Sequence, residues 1–371
     1  MVIHNQKERQ PVSESRQRPR WSFALATGGV LVLLSACGGN NTPPLTTGFV
    51  PPTSNFCTAT ADNLFSACEA EAVDDLFTTR AICINVSDAT LRGNCFAMGD
   101  VDRTLAQQTC SAQQGLRRDT CVKLGQTRYD PAFNPSNFDA TLATPNPYFP
   151  MTVGNVWEYA GGSETNTITV LTETKLIQGI TARVFKDEVF DDGALVEDTD
   201  DWFAQTTTGD VWYLGEEVKD YESFAGDNPM DPELVKIDGS FKSGRDGDKG
   251  GLFFPFTPTV NQIYLEEFSL GNAEDVTEIL SINYTFSGNA NLDRYVPAAV
   301  ANVFCTVSAP CIVTLNYSLL EPGKSARKYF AGGVGFIIET DPAAPSAAEG
   351  GLKAQLVNCN FDTDCVGLPQ P

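Results

Sequence analysis

Six regularly spaced cysteines constrain the fold of this chain more than any other feature. Cys57, Cys83 and Cys110 are separated by 26 and 27 residues, and Cys68, Cys95 and Cys121 by 27 and 26. This spacing indicates three repeated units, each containing one or two short helices. A block of this size cannot build a large core, and disulfides would compensate for that.

We predict that the two cysteines of each unit pair with each other, as Cys57–Cys68, Cys83–Cys95 and Cys110–Cys121. Two cysteines 11 residues apart on one continuous helix would lie about 16 Å apart, too far for a disulfide. The chain would therefore have to fold back within each unit. Pairing between units is an alternative. A metal site is another, which the absence of Cys-x2-Cys spacing and of nearby histidine disfavours.

The N-terminus has the features of an export signal. Residues 1–20 are rich in Lys and Arg, and the uncharged run 21–36 is short for a transmembrane helix. The run ends in Leu34-Ser35-Ala36-Cys37, which resembles the lipobox of bacterial lipoproteins. That resemblance implies cleavage before Cys37 and its acylation, with palmitate as an expected chain. A plain signal peptide followed by a chance cysteine is the alternative.

The residues after Cys37 suggest where the protein is sorted and how the chain is divided. Gly38, in place of Asp, resembles the pattern for the outer membrane. Gly, Asn, Thr and Pro dominate residues 38–54, which is typical of a flexible tether. We predict a signal peptide at 1–36, a tether at 37–55, a cysteine-rich repeat domain at 56–125 and a β-rich domain at 145–371. The mature protein would face the periplasm or the cell surface.

Composition excludes several classes of function. The chain has 25 Lys and Arg against 47 Asp and Glu, a net charge of −22, so we expect no nucleic-acid partner. Its single histidine, His4, lies in the segment that we expect to be removed. The mature chain would then lack Ser-His-Asp or Cys-His catalysis and histidine-ligated metals.

From Pro145 onward the sequence is typical of short antiparallel strands separated by turns. We predict a mainly β fold (α+β overall), with an antiparallel meander or half-barrel behind the helical repeat domain. The predicted strands are Val156–Tyr159, Thr165–Thr174, Thr181–Phe190, Ala194–Gln205, Val211–Glu217, Gln262–Ser269, Val276–Phe286, Ile312–Leu320 and Lys328–Glu339.

Four further cysteines lie in this β-rich part. Cys305 and Cys311 flank one five-residue loop, and Cys359 and Cys365 flank another. An exported chain is expected to oxidise them. We predict local pairing within each loop, with a disulfide between the two loops as the alternative.

Three segments of the β-rich part resemble a widespread set of exported bacterial proteins. They are DDWFAQ at 200–205, GDVWYLGE at 209–216 and KYFAGGVG at 328–335. The resemblance spans roughly residues 147–357 and implies export, but that set has no assigned activity. The opening 153–159 also resembles the first strand of lipoprotein half-barrels of the lipid-carrier type.

Acidic residues suggest a calcium site in the hairpin around residue 207. With Thr206 to Gly209 as the loop, Asp198 would face Glu217, and Asp200 would share their side of the sheet. Three converging carboxylates suit a calcium ion, although a solvated strand end is the alternative reading. The segment 246–251 resembles part of a calcium loop but lacks the required acidic residues.

The function expected from these observations is binding or structural. We expect an outer-membrane lipoprotein, attached to the membrane through its N-terminal lipid, that holds a small apolar ligand or an envelope protein. The alternative is a histidine-free, calcium-dependent carboxylate hydrolase. It would use pairs such as Glu266 with Glu267, or Glu274 with Asp275.

Overall fold

A computed structural model describes residues 50–371; the signal, Cys37 and most of the tether lie outside the described residues. The chain begins with a hairpin of two long helices, α1 (Phe56–Ile84) and α2 (Ala89–Leu124). The Asp88 side chain caps α2 by accepting hydrogen bonds from the backbone N–H groups of Thr90 and Leu91. Fifteen strands and one short helix, α3 (Ala298–Phe304), follow.

Three disulfides join the two helices like the rungs of a ladder. They are Cys57–Cys121, Cys68–Cys110 and Cys83–Cys95, with Cα–Cα distances of 5.6, 5.7 and 5.6 Å. The predicted Cys83–Cys95 bridge is present, but the predicted Cys57–Cys68 and Cys110–Cys121 bridges are wrong. Each of those pairs lies on one continuous helix, where the two sulfurs cannot meet. The chain folds back once, at residues 85–88, instead of once per unit.

The strands form one antiparallel, nearly closed sheet, which confirms the predicted mainly β fold. They are β1 Val156–Gly161, β2 Glu164–Ile177, β3 Ile180–Asp191, β4 Ala194–Gln205, β5 Val211–Glu222, β6 Glu233–Lys236, β7 Phe241–Lys242, β8 Lys249–Phe254, β9 Ile263–Leu265, β10 Glu267–Phe268, β11 Asp275–Tyr284, β12 Cys311–Ser318, β13 Ala326–Ala331, β14 Gly335–Thr340 and β15 Leu352–Cys359. Their order is β10-β8-β5-β4-β3-β2-β1-β15-β14-β13-β12-β11-β9, and β6 and β7 also pair with β5.

Two predicted strands are each interrupted. Gln262–Ser269 is divided into β9 and β10 at Glu266, and Lys328–Glu339 into β13 and β14 by a turn at 332–334. Gly333 in that turn has φ = 83°, a conformation that glycine adopts without strain. The two local disulfides, Cys305–Cys311 and Cys359–Cys365, are formed as the spacing suggests.

The two ends of the sheet approach each other where β8 meets the β9–β10 segment. The ideal Cβ of a residue at position 251 would lie 2.0 Å from the carbonyl oxygen of Glu266, so only glycine allows this approach. Tyr264 on β9 also donates its hydroxyl to the carbonyl of Phe253 on β8 at 3.3 Å. These contacts bring the edge strands together beneath the helical hairpin.

Aromatic side chains fill the inner side of the sheet. Phe149, Phe185, Phe203, Tyr213 and Phe253 are buried, and neighbouring rings lie with centroids 4.6–5.1 Å apart. Such offset and edge-to-face pairs stabilise a core beyond the burial of their area. This part of the predicted half-barrel is therefore packed with protein side chains, and a ligand would need another place.

Candidate ligand-binding cleft

A cleft lies between the helical hairpin and the closing edge of the sheet. Its volume is about 750 Å³, within the range of small-molecule pockets. Its wall combines apolar side chains that are far apart in sequence: Phe56, Leu64 and Leu124 from the hairpin, and Trp212, Leu252, Ile263, Leu265 and Phe268 from the sheet. The cleft thus offers a mainly apolar surface.

A buried ion pair holds the hairpin against the sheet. Arg117 on α2 donates two hydrogen bonds of 2.8 Å to the two carboxylate oxygens of Glu274, which directly precedes β11. The two side chains are only 5% and 4% exposed. Nearer to solvent, Lys123 and Glu278 form a second pair at 2.6 Å. A bidentate arginine–carboxylate pair fixes geometry as well as contributing energy, so Arg117 and Glu274 set how the two walls of the cleft face each other.

Charged groups at the cleft wall are largely matched with partners. Lys249 donates to the Asp130 carboxylate at 2.6 Å and to the Tyr129 carbonyl at 2.8 Å. The Arg128 guanidinium lies 3.8 Å from the centroid of the Phe56 ring, a cation–π contact. These groups shield their own charges and leave the apolar wall between them.

Glu267 on β10 differs from those groups. It lines the cleft, is 2% exposed, and its Oε1 accepts no hydrogen bond from the described residues 50–371. A buried polar atom without a partner costs roughly 1–3 kcal/mol. The cleft therefore contains one polar group whose bonding capacity is unused.

Glu267 belongs to a larger set of buried carboxyl groups on the inner side of the sheet. This buried acidic cluster comprises Asp187, Glu197, Asp201, Glu216, Glu266, Glu267 and Glu339. Lys328 is buried beside Glu339, its cross-strand partner. Carboxylates are rarely this buried without paired charges, so these groups must hold protons, share them, or meet a cation.

Hydrogen bonds link several members of the cluster. Asn166 donates to Asp187, and the Tyr213 hydroxyl donates to Asp201. On the opposite part of the sheet, Asn316 donates to Glu266 at 3.1 Å. The network satisfies only part of the cluster, since one oxygen each of Glu267 and Glu339 has no hydrogen-bond partner among the described residues.

Burial shifts the titration of these groups. Desolvation, followed by the neighbouring charge of Asp201, raises the pKa of Asp187 to about 7. Desolvation and then Asp201 raise the pKa of Glu216, and desolvation, Asp275 and then Glu216 raise that of Glu267. Each carboxyl group therefore favours its neutral form more than it would in water.

The predicted calcium hairpin lies on the opposite, outer side of the sheet, and its predicted register is wrong. Asp200 faces Glu217, whereas Asp198 faces Lys219. The loop spans residues 206–210, one residue more than predicted. Gly215, at φ = 135°, lies where the register shifts by a further residue. These two differences together move the pairing by two positions.

Two lysines balance the acidic residues of that hairpin. Lys186 bonds to Asp198 and lies 3.3 Å from Asp200, and Lys219 lies 3.2 Å from Glu217. The mutual repulsion that suggested calcium at Asp198, Asp200 and Glu217 is therefore relieved by the protein itself. Within residues 50–371, no group of three or more acidic, Cys or His side chains is arranged to hold a metal ion.

The other predicted acidic sites are also accounted for. Asp246 is paired with Arg245 at 3.1 Å, so the calcium-like loop is an exposed turn with a local ion pair. Glu274 is bound by Arg117, and Glu266 is buried among hydrogen-bond donors. Neither carboxylate pair is presented together to an open cleft.

Comparison with protein-family models, with curated proteins and with solved structures finds no match to this chain. In the described part of the chain, no helix combines the length and apolarity needed to span a membrane.

Sequence reasoning missed the cleft and the role of Glu267. The wall is built from the hairpin, from the linker near Tyr129 and from strands over 120 residues later, and no local pattern reveals such an assembly. A signal did exist for the buried acidic cluster. Asp187 alternates with Phe185, and Asp201 with Phe203, which places acidic and aromatic side chains on one side of each strand.

Proposed function

We propose that the protein is an outer-membrane-anchored, extracytoplasmic lipoprotein whose cleft holds an apolar ligand. The observation that carries the proposal is the apolar cleft of about 750 Å³ between the disulfide-bonded hairpin and the sheet. Five disulfides favour an oxidising compartment. The lipobox-like segment ending at Cys37 supplies the anchor.

The anchor and the cleft would lie close together along the chain. Pro52 lines the cleft, and it follows Cys37 by 15 residues. Such a segment spans at most about 54 Å when fully extended. An anchored molecule would therefore keep its cleft within reach of the membrane, where apolar ligands are concentrated.

The hydrolase alternative has less support. Among the described residues, the carboxylates that line the cleft are Asp130, Glu267 and Glu274. Lys249 binds the first and Arg117 the last. An acid–base pair for glycoside or ester hydrolysis needs two carboxyl groups that are free to act on one bond, and this cleft leaves one.

Filling the cleft should prevent ligand binding. Ile263 lines the cleft and is half-buried, so we expect Ile263→Trp to weaken displacement of an apolar fluorescent probe by dodecan-1-ol at least tenfold. The matched control is Leu176→Trp, because Leu176 is 71% exposed and is not part of the cleft. Equal affinities for the two variants would refute the cleft as the binding site.

Anchoring is tested by Cys37→Ser. We expect the variant to be soluble and unlabelled by radioactive palmitate, whereas the wild type should be labelled and enter the detergent phase. Acyl chains at Cys37 supply the membrane affinity, so losing them should release the protein. If both forms partition equally, the protein is not a lipoprotein.

A further inference from the structure

The partnerless carboxyl oxygen of Glu267 identifies the polar end of the cleft. Its side chain is 2% exposed, yet Glu267 lines the cleft and its Oε1 has no hydrogen-bond partner among residues 50–371. The other cleft carboxylates, Asp130 and Glu274, are bound by Lys249 and Arg117. A ligand that reaches Glu267 could supply the missing donor.

The surroundings of Glu267 favour a positive partner. Glu216 on β5, Asp275 on β11 and Glu266 all contribute negative charge at Glu267. Lys328 on β13 lies among the same carboxylates, although Glu339 and Glu266 act on it more strongly than Glu267 does. A second anion here would be repelled, whereas a cation would relieve the repulsion between the existing carboxyl groups.

An ammonium group fits this position better than a metal ion. The described residues hold no set of three ligands for a metal, but a primary ammonium needs few fixed acceptors and carries three N–H donors. Burial, Asp275 and Glu216 raise the pKa of Glu267, so the free carboxyl group tends to keep its proton. An ammonium beside it would favour the ionised form, and the proton would pass to solvent as the charged hydrogen bond forms.

We propose that the ligand is an amphiphile with a primary ammonium group, its apolar body along the cleft wall and its nitrogen at Glu267. This inference rests on the proposed binding of an apolar ligand. It adds a chemical class: long-chain amines and amino-bearing lipids should be preferred over alcohols and fatty acids of the same length.

The test compares three ligands that share one chain and differ in the head group. Dodecylamine, dodecan-1-ol and dodecanoate compete with the same apolar fluorescent probe on the intact protein. For the wild type we expect dodecylamine to bind at least tenfold more tightly than dodecan-1-ol, and dodecanoate to bind most weakly. Equal affinities for the amine and the alcohol in the wild type would overturn the inference without any variant.

Two variants locate the preference. In Glu267→Gln, which keeps the shape of the neutral carboxyl group, the amine-to-alcohol ratio should fall to about one while the alcohol affinity stays within threefold. Asp130→Asn is the matched control, because Asp130 is a cleft carboxylate that is 75% exposed and already paired, and it should keep the ratio. An unchanged ratio in Glu267→Gln would refute the role of Glu267. If dodecan-1-ol does not displace the probe from the wild type, the proposed function itself fails, and this inference fails with it.

Discussion

Replacing Arg117 by alanine is expected to lower the free energy of unfolding by about 3–5 kcal/mol. The reason is the buried partner. Glu274 is bound by both hydrogen bonds of the Arg117 guanidinium, and the two side chains are 5% and 4% exposed. Without arginine, a desolvated carboxylate is left unpaired beneath the hairpin. Urea unfolding would measure the loss, and hydrogen exchange should show faster opening where α2 contacts the sheet.

The neighbouring residue provides the control for that experiment. Arg118 also forms an ion pair, with Asp62, but the two side chains are 51% and 43% exposed. Exposed pairs contribute about 0–1 kcal/mol, so Arg118→Ala should change stability little. The double variant Arg117→Met, Glu274→Met should recover most of the loss, since it leaves no buried charge unpaired. Equal effects of Arg117→Ala and Arg118→Ala would contradict the docking role of Arg117.

The protein is expected to become more stable as the pH falls from 8 to 5. In the folded protein, desolvation and then Asp201 raise the pKa of Asp187 from 3.8 to about 7. A carboxyl group whose pKa is raised by folding contributes its full stability below the unfolded pKa and loses it as the pH rises through the folded value. Between pH 8 and 5, Asp187 alone should contribute roughly 3 kcal/mol, at about 1.4 kcal/mol per pH unit. Glu197 and Glu216 act in the same direction.

Asp187→Asn tests this pH dependence, because asparagine resembles the protonated acid and still accepts the hydrogen bond from Asn166. Urea unfolding at pH 5, 6.5 and 8 should give a shallower slope for the variant than for the wild type. Asp119→Asn is the control for a general change of charge, since Asp119 is exposed on α2. Parallel slopes for wild type and Asp187→Asn would show that Asp187 is not the titrating group.

The cysteine spacing shows what sequence reasoning could predict and where it went wrong. The intervals between the six cysteines are 11, 15, 12, 15 and 11 residues, which read the same in both directions. That symmetry is typical of two antiparallel helices, in which Cys57 meets Cys121 and Cys68 meets Cys110. The same numbers also satisfy a repeat of 26 or 27 residues, so the spacing alone fitted two structures. Only the folded-back hairpin allows all six sulfurs to pair on continuous helices.

The sheet was more predictable because its signals are local. Ala194–Gln205 is observed with the predicted bounds, since turn residues limit it on both sides. The pairing of β4 with β5 was not predictable, because it depends on a five-residue loop and on a register shift beside Gly215. The strand β15, which joins the two halves of the sheet by pairing with β1, was missed entirely. Its sequence, LKAQLVNC, is mixed in polarity and lacks clear turn signals.

The candidate site depended most on contacts that sequence cannot supply. Glu267 was recognised only as one member of an acidic pair, in a chain with 47 Asp and Glu residues. What distinguishes it is position: β10 places it at the closing edge of the sheet, where the helical hairpin covers it and forms a cleft. Such a site is defined by the packing of distant segments.

Native mass spectrometry of the protein purified from membranes tests the central claim most directly. Wild-type protein and Ile263→Trp would be extracted in the same mild detergent and compared under identical conditions. We expect the wild type to carry a bound apolar compound in addition to the acyl groups attached at Cys37, and Ile263→Trp to carry the acyl groups alone. Loss of the compound from the filled cleft would identify the cleft as its site. Finding no bound compound in the wild type, or the same compound in both proteins, would contradict the account.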